Sequence, residues 1–148
     1  MNTENEMESG TDPRDKLAVV EKILERAAEK AGDITGPAMT RFYERCPEGR
    51  QLFAEHSRRL DRLEGLMVEQ SIYCLMQWFA SPMEIEILLQ DTVPHHKHTL
   101  KIPTSAYCDL LIAAADTIGD TIPEGNTREQ GVWNELCGQL LTAIAQCD

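Results

Sequence analysis

Positive charge is scarce in this chain: 14 Lys and Arg stand against 25 Asp and Glu, a formal net charge of −11 at pH 7. Nucleic acids and anionic membranes are met by clustered Lys and Arg. The best basic pair here, Arg58–Arg59, stands alone, so neither partner is expected. No run of about 18 apolar residues is present to span a bilayer. Met1 to Asp12 is acidic and polar where a secretory leader would be basic and then apolar. Both features point to a cytoplasmic protein. The five cysteines, Cys46, Cys74, Cys108, Cys137 and Cys147, are odd in number, widely spaced and without a CxxC pair. Neither a disulfide framework nor a structural zinc site is expected from them. Cys74, Cys108 and Cys137 lie in apolar stretches and read as small buried hydrophobes. A Gly-rich phosphate loop is missing, and Ser57, Ser71 and Ser105 belong to no nucleophile motif.

What is present suits one globular domain. Of 148 residues, 42% are hydrophobic and 26% charged, and a chain this long buries roughly 68–70% of the surface that its unfolded form exposes. Residues 1–12 read as an acidic tail, and 13–148 as the domain. Asp12-Pro13 is a helix start, with an N-cap acid before a proline. Leu17, Val20, Ile23, Leu24 and Ala27 then recur at helical spacing up to Gly32. Glu21, Glu25 and Glu29 share a solvated face that Lys22 and Arg26 offset only in part. A second helix from Asp33 or Pro37 carries Met39, Phe42 and Tyr43 toward Cys46 and ends at Pro47. Residues 47–57 read as a turn and loop holding Leu52 and Phe53, with His56 solvated.

A third, long helix is predicted over residues 58–79. A fourth opens at Ser81-Pro82 and stops before Pro94, leaving His95-His96-Lys97-His98 in a loop. Pro103 opens a fifth with Tyr107, Leu110, Leu111, Ala114 and Ile118. In the last, Asn126 is the N-cap and Glu129 the capping-box acid, ahead of Val132, Trp133, Leu136, Leu140 and Ile144. Period-two alternation, an Asn-Gly hairpin and internal repeats are all missing. The fold class is therefore all-α, with about six helices. A domain of this kind packs as an antiparallel bundle or with globin-type crossings near about 50°, and the short fourth helix favours the second.

Three segments, in order, carry a family resemblance. Arg41-Phe42-Tyr43-Glu44-Arg45-Cys46-Pro47-Glu48-Gly49-Arg50-Gln51-Leu52-Phe53 has an aromatic pair, a Pro-Glu turn and a phenylalanine six residues after the proline. His96 lies seven residues before Pro103, within Lys101-Ile102-Pro103, with Tyr107 shortly after. The run from Leu110 to Ile144 has a tryptophan, Trp133, early in the final helix. Over about residues 15–147 the chain resembles the globin family. The resemblance implies a globin-like fold, haem b, Phe53 packed flat on the haem and a proximal histidine bound to the iron. Spacing from Pro103 selects His96 as that ligand, whereas spacing from Tyr107 selects His98 or Lys97. His95 is the remaining alternative. On the opposite side, Met39 stands where many bacterial oxygen-binding globins have tyrosine, and Met67 and Gln70 are the candidates above the iron, with Ser71 or Cys74 one turn on.

An imidazole opposite an open coordination position lets haem iron bind a diatomic gas. The implied function is therefore binding of oxygen, nitric oxide or carbon monoxide, for sensing, delivery or detoxification. Without an attached reductase, nitric oxide dioxygenase or peroxidase-like turnover would need an external reductant, so a binding protein is favoured over an enzyme. A haem-free, globin-like interaction or signalling module is the alternative, with Phe53 and Trp133 as plain core. Zinc or nickel held by the His-His-Lys-His run is a further reading, weakened by the lack of a fourth ligand. Homodimerisation through the last two helices, with Ala113, Ala114 and Ala115 at the interface, or a protein signalling partner, completes the set of expectations.

Overall fold

Asp12 starts the first helix as its residue type predicts, its carboxylate accepting from the Arg14 amide at 2.9 Å ahead of Pro13. The structure, a computed structural model, describes residues 12–148; the remainder of the expected acidic tail lies outside the described residues. Among them are seven helices and no strand: α1 (Pro13–Ala31), α2 (Thr35–Arg45), α3 (Gly49–Ala54), α4 (Leu60–Gln77), α5 (Pro82–His98), α6 (Thr104–Gly119) and α7 (Thr127–Ala145). The all-α class and its periodic helices stand. None of these helices is long and apolar enough to cross a membrane.

Two elements depart from the reading of the sequence. The expected loop over residues 47–57 contains α3, a six-residue helix too short to show a 3.6-residue period. The fourth helix does not stop before Pro94 but runs through it, so the three histidines form its last turn. Proline inside a helix costs about 3 kcal/mol through a lost hydrogen bond and a steric clash. Here Ile85, Leu89 and Val93 are all buried on one face, and packing of such a face supplies most of a helix's stability. Amides beyond the helix then close it, with Thr99 and Leu100 donating to the His95 carbonyl and Ile102 donating to that of His96 at 2.7 Å.

The domain is assembled around α6, which touches α1, α2, α4, α5 and α7. Its buried residues are mostly small, among them Ala106, Ala113, Ala114 and Ala115, which lets neighbouring backbones come close. Those last three alanines are 0%, 0% and 3% exposed inside their own chain, so they belong to the core and present no surface to a second copy. Trp133 on α7 anchors the crossing as expected, buried with its Nε1–H donating to the Ala115 carbonyl at 3.0 Å.

Asn126 caps α7 by accepting from the Glu129 amide at 3.1 Å. The Glu129 side chain does not close a capping box. It is buried and takes two hydrogen bonds from Arg26 of α1, at 2.5 and 2.8 Å. His56 is exposed, yet its Nε2 donates to the Leu100 carbonyl at 2.7 Å and ties the α3–α4 segment to the α5–α6 connection. The five cysteines are free, with Cys46 and Cys74 buried and Cys108, Cys137 and Cys147 partly so.

Candidate functional site

Five helices leave an apolar cavity between them, with Leu140 and Ile144 of α7 on one wall. Phe53 comes from α3, Met67 and Gln70 from α4, Leu89 and His96 from α5, and Tyr107 from α6. The cavity holds about 320 Å³, within the range of small-molecule and cofactor sites. Asp, Glu, Lys and Arg are absent from its described lining. Cys74 on the same wall is kept neutral, its thiol pushed up to about 11 by burial.

His96 is held in place from its own helix. Its Nδ1 lies 2.7 Å from the Thr92 carbonyl one turn earlier. A carbonyl only accepts, so Nδ1 carries the proton and Nε2 of the neutral ring keeps a lone pair. This is the tethering that orients ligating imidazoles in metal sites and raises their basicity. The ring also meets Tyr107 edge-on, with centroids 5.3 Å apart and planes at 87°. The Thr92 hydroxyl donates to the Leu88 carbonyl at 3.0 Å, so Tyr107, 3.2 Å away, donates to Thr92. Burial pushes the Tyr107 phenol up, and the ring beside His96 is therefore neutral. Thr92 thus positions both the imidazole and the phenol.

On the α4 wall, Ser71 spends its hydroxyl on the Met67 carbonyl at 3.1 Å. Gln70 is different: among the described residues its amide makes no hydrogen bond. It is the polar group of this wall with donors to spare. Phe53 is 3% exposed and stacks on Phe42, with centroids 5.4 Å apart and planes at 14°.

Of the residues singled out in the sequence, Phe53, Met67, Gln70, His96 and Tyr107 border this one cavity. Met39 does not. It is buried with Ala38 and Phe42 on the inward face of α2, which packs chiefly against α6. His95 and His98 are exposed and lie away from the cavity. Successive helical residues differ by about 100° in direction, so His96 alone of the three turns inward. Among the described residues no three His, Cys, Asp or Glu side chains converge to hold a metal ion, leaving the zinc or nickel reading without a ligand set. Thr92 was missed in the sequence; its place one turn before His96 was the available signal. The donor chemistry fits haem: one tethered imidazole with a free Nε2 on an uncharged, largely aliphatic cavity.

Comparison with protein-family models, with curated proteins and with solved structures finds no significant match to this chain.

Proposed function

We propose that the protein binds haem b in the cavity between α3, α4, α5, α6 and α7, with His96 as the protein ligand to iron, and takes up a diatomic gas on the α4 side. The observation that carries this reading is the tethered His96: its Nδ1–H is committed to Thr92, and its ring borders an apolar cavity. The convergence of Phe53, Met67, Gln70 and Tyr107 on that cavity supports it, since these are the residues that the globin resemblance selects. Haem held there would supply an iron with an open position for oxygen, nitric oxide or carbon monoxide. Phe53 and the aliphatic walls would exclude water, Thr92 would keep the imidazole in one orientation, and the Gln70 amide would donate to a polar ligand. Reversible binding, for sensing, delivery or detoxification, requires nothing beyond these groups.

The test is the absorption spectrum of the purified protein titrated with haemin, for wild type and for His96→Ala, His95→Ala and His98→Ala. A Soret band that His96→Ala abolishes or shifts, and that exogenous imidazole restores, is the expected result. The other two variants should match wild type. A band lost in His98→Ala but kept in His96→Ala would move the ligand. Absence of a band in wild type would overturn the proposal and leave a haem-free interaction module. Consumption of nitric oxide beyond one equivalent per haem, with an external reductant supplied, would separate dioxygenase turnover from simple binding.

A further inference from the structure

Helix α5 has a second apolar stripe, turned outward. Glu84, Ile87, Leu88 and Asp91 follow i, i+3, i+4, i+7 spacing and share one helix face. Ile87 is 62% exposed, and Met83, one turn earlier, 73%. Across an open groove from this stripe stand Gln70 and Tyr73 of α4. The groove encloses about 750 Å³, has buried Ile85 at its base and has no Lys, Arg or His among its lining residues. Among the described residues, neither Glu84 nor Asp91 makes an ion pair or a side-chain hydrogen bond.

Single exposed apolar residues are ordinary on a protein surface. An apolar strip bounded at both ends by uncompensated carboxylates is more particular. The two acids are seven residues apart, about 10 Å along the helix, the spacing of side chains two turns apart on any helix laid alongside. A second copy paired symmetrically through this groove would bring the same acids to the same place, within a molecule of net charge −11. An anionic bilayer would be repelled likewise.

We propose that the α4–α5 groove docks a cationic amphipathic helix of a protein partner. Its apolar side chains would settle on Ile87, Leu88 and Tyr73, and its Lys or Arg residues would face Glu84 and Asp91. This rests on the outer face of α5 and not on haem. Gln70 and Leu88 border both the groove and the inner cavity, so a docked helix lies against the outside of the cavity wall.

The test uses a fluorescent synthetic helix of about 18 residues, with leucines on one face and lysines two turns apart beside them, titrated with the full chain by anisotropy. Wild type should bind it, and Ile87→Glu should weaken binding by about 10-fold or more. Glu84→Gln with Asp91→Asn should weaken it by about 3- to 10-fold and flatten its salt dependence. Glu21→Gln with Glu25→Gln, the same charge change on α1, should alter it by less than about 2-fold. A peptide with glutamates in place of lysines should not bind. Absence of binding by wild type, an unchanged affinity for Ile87→Glu, or equal losses from the two charge-neutralised pairs would each overturn the proposal. So would a wild-type dimer in sedimentation that Ile87→Glu dissociates, which would show a second copy covering the groove.

Discussion

At Gly49 there is room for a hydrogen and little else. A Cβ there would stand 2.6 Å from Cε2 of Phe42 and 3.0 Å from its Cζ, and that ring is the one stacked on Phe53. Gly49→Ala should therefore lower stability by about 1–3 kcal/mol, the usual cost of overpacking a tight core. The check is a fall in the urea midpoint with an unchanged slope. In sequence, Pro47-Glu48-Gly49 reads as turn chemistry, and nothing local reveals that the glycine begins α3 beneath an aromatic ring. His96 shows the same boundary of legibility. Its residue type and distance from Pro103 made it a candidate, but His95 and His98 matched by type. The direction in which each side chain leaves the helix separates them, and that depends on where the helix continues.

That continuation is a property of α5. Read locally, Pro94 ends the helix; in the molecule, Val93 is buried just before it and His96 is half-buried just after. The element accepts a missing bond to the Gln90 carbonyl because its inner face is already packed. Replacing Pro94 with alanine should return that bond. The gain, reduced by the greater freedom of the unfolded chain, should be about 1–2 kcal/mol. Thermal unfolding of Pro94→Ala measures it; a lower Tm would mean that the proline ring itself contributes packing. The longer helices were legible because each carries enough apolar positions at helical spacing, and Asp12 and Asn126 cap as their residue types predict. Helix α3, with six residues, was not. One turn and a half contains too few positions for periodicity to register.

Across the whole molecule, Arg26 and Glu129 join the first helix to the last. Hydrogen bonding from Arg26, with its charge, holds the Glu129 carboxyl below its ordinary value near 4.5 although burial opposes this. A carboxylate lowered in the folded state adds stability above its unfolded value, and that stability is lost as pH falls through the folded one. Arg26→Met should therefore be less stable than wild type at neutral pH. The gap should remain wide above about pH 5 and close progressively in more acidic solution. Urea midpoints from about pH 7 to about pH 3 would show it, and a gap independent of pH would assign the loss to packing. The sequence reading placed Arg26 among solvated charges and Glu129 in a local cap, because a contact spanning 103 positions leaves no local pattern.

By itself the sequence determined the all-α class, the long helices, most of their boundaries and a short set of candidate side chains. These follow from spacing, capping chemistry and proline stereochemistry, which act within a few residues. Tertiary structure alone decided that Phe53, Met67, Gln70, His96 and Tyr107 share one cavity while Met39 does not. It also decided that Ala113, Ala114 and Ala115 are core. Which face of a helix meets which neighbour is settled by burial summed over the whole chain. A helical pattern specifies an apolar face but not the helix that will cover it, and the cavity forms where five helices meet.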